Sequence, residues 1–114
     1  MNINRSLLYC DAADYFRLDG SAVMRLTRHS AIHVCEQAFD KGLLITMIEG
    51  GNWQHPGFMS RLDSIWSWKY PPVTREIAKI NNKAAVEFII SNCKERDVFI
   101  LTTKSFQVSR GRDI

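Results

Sequence analysis

Gly42 constrains the fold more than any other residue, because it separates a helix from a strand. Across Arg28–Lys41, apolar side chains recur at the spacing of an amphipathic helix. Gly42 follows directly, at the position of a left-handed C-terminal cap, and Thr27 or Ser30 can cap the other end. The next residues, Leu43–Glu49, favour β-structure and are too few for a second helix. The sequence therefore predicts a helix followed at once by a strand.

Three more elements are predicted after this pair. Phe58–Trp68 alternates between apolar and polar residues, which indicates a half-buried strand antiparallel to the preceding one, and Gly50–Gly57 is expected to break regular structure between them. Thr74 can cap a second helix, predicted from Arg75 to about Lys94. Its predicted buried stripe is Ile77, Ile80, Ala84, Phe88 and Ile89, with Ala85 and Cys93 beside it. Asp97–Thr103 is apolar on both faces, as in a central strand.

The first quarter of the chain supports two alternatives. Asp19-Gly20 suits a tight turn and therefore a hairpin between its flanking residues. The rival is a short helix over Asp11–Arg17, begun by Asp11 as its cap. In either case we expect an α+β fold, in which two main helices pack on an antiparallel sheet of about four to five strands.

Composition and charge favour one soluble domain with a basic tail. The chain has 114 residues, 46% of them hydrophobic and 24% charged, as in ordinary globular domains. Lys104, Arg110 and Arg112 outweigh Asp113 near the C-terminus, and the net charge of the chain is +3. We therefore expect residues 1–104 to form a single domain and residues 105–114 to form a basic, flexible tail.

The predicted location is the cytoplasm. The three cysteines are widely spaced and odd in number, which favours reduced thiols over a disulfide scaffold. The chain opens with no charged segment followed by an apolar one, so we expect no signal peptide. Its longest apolar runs are far shorter than the roughly 20 residues of a membrane span, so no membrane association is expected.

The candidate catalytic and metal-binding residues are few. His29 and His33 lie one helical turn apart, but no third ligand accompanies them, so we expect a polar helix face and no metal. Glu49, His55 and Asp63 surround the glycine-rich turn without a nucleophile nearby. We therefore expect no enzyme activity and no cofactor, and keep a small hydrolase centred on His55 and Asp63 as a second alternative.

An aromatic cluster is the strongest candidate for partner binding. Trp53, Phe58, Trp66, Trp68 and Tyr70 lie within a short segment that also contains basic residues, a composition typical of interface anchors. Phe58 and Trp66 are expected to belong to the core. The predicted partner-binding residues are Trp53, His55, Arg61, Asp63, Trp68 and Tyr70. The first alternative is a nucleic-acid-binding module, in which the same aromatic residues and the basic tail would contact single strands.

Four segments resemble small bacterial immunity proteins that neutralise colicin-like toxins or toxins of contact-dependent growth inhibition. These segments are residues 15–24, 48–53, 55–58 and 61–66. The resemblance implies a cytoplasmic, non-catalytic toxin inhibitor that binds one cognate toxin domain tightly. Nucleic acid is then not the expected partner. A homodimer, through an edge strand or through Val86 and Ile90, stays open.

Overall fold

Five strands and three α-helices follow one another in the part of the chain that the computed structural model describes, residues 3–54, 57–67, 74–92 and 95–106. In chain order the elements are β1 (Leu8–Tyr9), α1 (Ala12–Leu18), β2 (Arg25–Thr27), α2 (Arg28–Ala38), a 3-10 turn (Phe39–Lys41), β3 (Leu43–Gln54), β4 (Gly57–Ser67), α3 (Arg75–Asn92) and β5 (Val98–Ser105). The predicted α+β class is therefore confirmed.

The strands form one sheet in the order β1-β2-β5-β3-β4. β1 and β2 are parallel, and the other neighbouring strands are antiparallel. β5 lies in the middle, and its first four residues, Val98–Leu101, are all buried. The predictions of a central last strand and of an antiparallel pair formed by β3 and β4 are both confirmed.

The hydrophobic core lies between the helices and one face of the sheet. Each of these layers contributes large buried side chains: Tyr15 of α1, Leu26 of β2, Ile48 of β3, Ile89 of α3 and Phe99 of β5. α2 contributes a row of small buried residues, Ala31, Val34, Cys35 and Ala38. Because these side chains are small, the helix can approach the sheet closely and its neighbour α3 can pack beside it.

The predicted ends of the first long helix are confirmed. The Thr27 hydroxyl accepts the Ser30 N–H at 3.2 Å, as an N-cap does. Gly42 ends the 3-10 turn in the left-handed conformation, with φ 73°. The signals read from the sequence at both ends are thus local interactions that the fold retains.

In the first quarter, the helix is present and the hairpin across Asp19-Gly20 is not. The Asp11 carboxylate accepts the Ala13 N–H at 2.9 Å and caps α1, while Asp19 ends the helix with φ 54°. Tyr15 explains why the helix forms: its hydroxyl donates to the Leu101 carbonyl of the central strand at 2.9 Å. Tyr15 packs on β5 from within α1. Because the residues around it are helical, they cannot also pair as a strand of a hairpin.

The predicted stripe of α3 is wrong at two positions. Ile80 is 68% exposed and Ala84 is exposed, whereas Asn81 and Asn82, at 8% and 3%, are buried. The predicted burial of Ala85 and Ile89 is confirmed, Ile77 and Phe88 are half-buried, and Cys93 lies outside the described residues.

The buried asparagines hold α3 against the sheet. Asn82 Oδ1 accepts the Ile45 N–H at 3.0 Å, and its Nδ2 donates to the Leu43 carbonyl at 2.9 Å. Asn81 Nδ2 donates to the Ile45 carbonyl at 2.8 Å. Among the described residues, the pairing of β4 with β3 begins at Met47, and the two amides bond backbone groups of β3 that come before it. The buried backbone groups of β3 need hydrogen-bond partners. This need, and not the apolar periodicity of α3, determines which residues of the helix face the sheet.

The prediction that Gly50–Gly57 breaks regular structure is wrong for its first half, because β3 continues to Gln54. The irregularity is a bulge: Glu49 pairs with Ile65, and Gly51 pairs with Ser60, so β4 carries extra residues between the two pairs. A Cβ on Gly50 would lie 3.0 Å from the Ser64 Cβ and 3.1 Å from the Phe99 ring. Gly50 is therefore needed where β3 approaches the side chains of β4 and β5.

Candidate partner-binding site on the β3–β4 hairpin

The hairpin of β3 and β4 extends beyond the rest of the sheet. Pairing of β3 with β5 ends at Gly51–Val98, whereas its pairing with β4 continues through Asn52, Trp53 and Gln54. We call Asn52–Gln54 and the paired residues Gly57–Met59 the hairpin arm. Two isolated strands are marginally stable in water, so the arm requires support from outside the pair.

Asp97 provides that support on one side of the arm. Its carboxylate Oδ1 accepts the Trp53 N–H at 2.8 Å, and its own N–H donates to the Gly51 carbonyl at 3.1 Å. Asp97 directly precedes β5, so its side chain takes the place of the strand that has ended. A hydrogen bond to a carboxylate is stronger than one between neutral groups.

The two residues before Asp97 also hold the hairpin. The Asn52 side-chain amide donates to the Glu95 carbonyl at 3.1 Å. Arg96 Nε donates to the Ser64 hydroxyl at 2.9 Å, which connects the segment to β4. We call Glu95–Asp97 the clamp, because three consecutive residues bond both strands of the hairpin.

The surface around the arm combines an aromatic side chain with carboxylates. Trp53 is half-buried, and Glu95 and Asp97 are exposed. Among the described residues, neither of these carboxylates forms a salt bridge. Ile65 of β4, 40% exposed, lies farther along the same hairpin, opposite Glu49. An aromatic side chain on an ordered edge is suited to binding another protein.

Residues 24–104, which include the hairpin and the clamp, match the family described as Colicin-E5 Imm protein. The chain belongs to this family of colicin E5 immunity proteins. The resemblance to small bacterial immunity proteins is thereby confirmed. The match runs from the residue before β2 to the penultimate residue of β5, so it spans the sheet from β2 to β4 and the two longer helices.

Named relatives of this immunity protein cover most of its length. It is 48% identical over 102 residues to the immunity protein CdiI of Burkholderia pseudomallei, an alignment that spans 90% of this chain and 94% of the relative. It is 42% identical over 84 residues to the colicin-E5 immunity protein of Escherichia coli, across 71% of this chain and 99% of the relative. The colicin-E5 immunity protein in ColE9, also from Escherichia coli, is 40% identical over 84 residues, with the same coverage.

Of the six predicted partner-binding residues, the structure describes the side chain of Trp53. Arg61 and Asp63 belong to β4, between the two pairs that flank the bulge, and their side chains lie outside the description. His55, Trp68 and Tyr70 lie outside the described residues. The set therefore stays a prediction. Trp66, expected in the core, packs against it.

The clamp residues were missed by the sequence reasoning. A carboxylate at the start of a strand is common, and only the register shows that Asp97 stands beside a longer neighbour. The signal that was present is the position of Asp97 itself, at the predicted start of the last strand. Knowledge that β3 outruns β5 would have been needed to interpret it.

Among the described residues, the paired histidines and Cys35 do not form a metal site or a reactive-thiol site. His29 and His33 lie with ring centroids 4.1 Å apart, but within the described ranges no three His, Cys, Asp or Glu side chains could hold a metal ion together. Burial raises the pKa of the Cys35 thiol to about 12, so it is not a reactive thiolate at neutral pH. Across the described residues, no helix has both the length and the apolar character of a membrane span.

Proposed function

We propose that this chain protects a bacterial cell by binding a cognate toxin domain in the cytoplasm and blocking its action. The toxin would belong to the colicin-like class or to contact-dependent growth inhibition. The chain would act by occupancy and not by catalysis. The observation that supports this most strongly is the family match over residues 24–104, together with 48% identity to an immunity protein along 90% of the chain.

The hairpin arm and the segment after β4 are the proposed toxin-binding surface. Trp53 supplies an aromatic anchor on the arm, and His55, Arg61, Asp63, Trp68 and Tyr70 are the further residues proposed from the sequence. Large aromatic side chains surrounded by polar groups contribute most of the binding energy in many interfaces.

Calorimetric titration tests the function directly. The titrant is the toxin domain encoded beside the gene of this protein, and we expect one-to-one binding with a nanomolar Kd, about −12 kcal/mol. Co-expression in Escherichia coli should restore the growth of cells that express the toxin domain. A toxin domain of an unrelated class is the control for specificity. Absence of heat, co-elution and protection would contradict the proposal.

Single substitutions test the surface. Trp53→Ala keeps the backbone N–H that Asp97 binds and removes only the indole, so we expect at least about a 30-fold loss of affinity, the effect of a strong interface anchor. Ile80→Ala, which removes an exposed apolar side chain from α3, is the matched control and should bind as the wild type does. Equal affinities of the two variants would place the interface elsewhere.

The two alternatives receive separate tests. For the nucleic-acid-binding module, a labelled single-stranded oligonucleotide should bind at low salt and dissociate steeply as salt is added. For the small hydrolase, any activity should be lost in His55→Ala. Most of the residues on which these alternatives rest lie outside the description: His55, Trp68, Tyr70, the side chain of Asp63 and residues 107–114.

A further inference from the structure

We propose that Asp97 is a positioning residue for toxin binding, which holds the free hairpin arm in the conformation that the toxin recognises. The inference rests on the proposed function and adds a residue outside the proposed contact set. It assigns a role to the connection between α3 and β5, which the sequence reasoning did not associate with binding.

The geometry singles out Asp97 because it binds β3 twice, on either side of one residue. Its N–H donates to the Gly51 carbonyl at 3.1 Å, and its carboxylate accepts the Trp53 N–H at 2.8 Å. Pairing between β3 and β5 stops at Gly51–Val98. Asp97 therefore continues the hydrogen bonding of the sheet by one further step, with a side chain in place of a strand.

The bonds of the clamp order the arm more than they stabilise the core. Asn52, Glu95 and Asp97 lie on the surface, and none of them belongs to the buried cluster between the helices and the sheet. Since Trp53 is only half-buried, water can replace a lost partner of its N–H group at small cost to folding. What is lost is the fixed position of the arm relative to β5.

A less ordered arm binds more weakly, because only the fraction in the competent conformation can bind. The apparent Kd rises as the inverse of that fraction. If removal of the carboxylate leaves about a tenth of the molecules with the arm in place, affinity falls about tenfold. The global stability of the protein changes much less, so the two effects can be separated.

Three substitutions separate positioning from charge. Asp97→Ala removes the acceptor, whereas Asp97→Asn keeps a carbonyl oxygen at the same place and removes the charge. Glu95→Ala removes a neighbouring carboxylate but keeps the backbone carbonyl that Asn52 binds. We expect Asp97→Ala to weaken toxin binding about tenfold, and Asp97→Asn and Glu95→Ala to stay near the wild-type affinity in calorimetry.

Amide hydrogen exchange of the free protein supplies a readout that toxin contacts do not affect. The Trp53 amide should exchange faster in Asp97→Ala and be restored toward the wild-type rate in Asp97→Asn. If all three variants lose affinity equally, the carboxylate charges bind the toxin and positioning is overturned. Wild-type affinity or an unchanged Trp53 exchange rate in Asp97→Ala also overturns it.

Failure of the proposed function gives a different pattern. If the wild-type protein does not bind the toxin, or if Trp53→Ala binds as well as the wild type, both the proposed surface and the role of Asp97 are overturned. If Trp53→Ala loses affinity while Asp97→Ala retains it, the surface stands and the positioning role alone is wrong. The same titrations therefore distinguish the two failures.

Discussion

Replacing Asn82 by alanine removes the side chain that bonds α3 to the first residues of β3. Asn82 Oδ1 accepts the Ile45 N–H at 3.0 Å, and its Nδ2 donates to the Leu43 carbonyl at 2.9 Å. Ile45 is fully buried, so its N–H group would lose its partner without access to water. An unsatisfied buried group costs about 1–3 kcal/mol. The half-buried Leu43 carbonyl adds less, because water reaches it more easily.

The expected loss is about 1–3 kcal/mol of unfolding free energy, after a gain of roughly 0.5 kcal/mol from the higher helix propensity of alanine. At about 4 °C per kcal/mol for a domain of this size, Tm should fall by roughly 4–12 °C. Urea denaturation followed by far-UV circular dichroism measures the free energy. Lys83→Ala, at the next and exposed position of α3, is the control and should change stability by less than about 0.5 kcal/mol.

Asn82→Asp refines the test, because it keeps an acceptor for the Ile45 N–H and makes the group ionisable. Burial would raise the pKa of this carboxyl above its unfolded value of about 4. The variant should therefore lose stability relative to wild type as pH rises above about 4, while the folded state resists ionisation. The reasoning is refuted if Asn82→Ala unfolds with the same free energy as Lys83→Ala, since the amide would then do no more than fill space.

Four further outcomes follow from buried or strained positions. Burial raises the pKa of the Tyr15 phenol to about 12; since the unfolded group ionises near 10, stability should fall above pH 10, by about 2–3 kcal/mol at pH 12, and Tyr15→Phe should flatten that part of the pH profile. Cys35, buried and with a raised pKa, should react with a thiol reagent only at the rate of unfolding, as timed absorbance will show. Gly50→Ala should cost about 1–3 kcal/mol in urea denaturation, because the new Cβ would approach a neighbouring side-chain carbon to 3.0 Å. Ile80→Lys should leave Tm within about 2 °C of wild type, whereas Ile89→Ala, on the buried face, should cost about 2–5 kcal/mol.

The elements that the sequence predicts best are those fixed by neighbouring residues. α2 begins at the Thr27 cap and its terminal turn ends at Gly42, and both signals are interactions within a few residues. The central position of β5 was predictable, because an apolar run on both faces is stable only when both faces are covered. α1 was present among the alternatives, and its selection over a hairpin depended on Tyr15 reaching Leu101, a contact between distant parts of the chain.

The inner face of α3 was not predictable from periodicity. Ile80 stands at an apolar position of the helical stripe and is exposed, while Asn81 and Asn82 are buried. The amides face inward because they bond backbone groups of Leu43 and Ile45, and the sequence of α3 does not show that these groups lie beside it. A polar residue that serves a backbone group elsewhere in the chain has no signature in its own segment.

The candidate site shows the same limit. Trp53 was proposed because it belongs to a cluster of aromatic residues of the kind that anchors interfaces, and the structure leaves it half-buried. Asp97 was not identified, because its importance depends on where β5 ends relative to β3. Residue type predicts which side chain is able to anchor a partner, and register determines which side chain holds that anchor in place.

Side chains from outside the sheet bond the backbone of β3 at both of its ends. Near Leu43, before the first described pair with β4 at Met47, Asn81 and Asn82 bond this backbone. Near Trp53, β3 outruns β5, and Asp97 bonds the backbone there. The amides of Asn81 and Asn82 are buried between α3 and the sheet, so we expect their loss to weaken the whole fold. Asp97 is exposed, so we expect its loss to free the arm and to leave the core intact. Under the proposed function, we therefore expect changes at Asp97 and on the arm to alter binding at little cost in stability, and changes at Asn81 and Asn82 to cost stability.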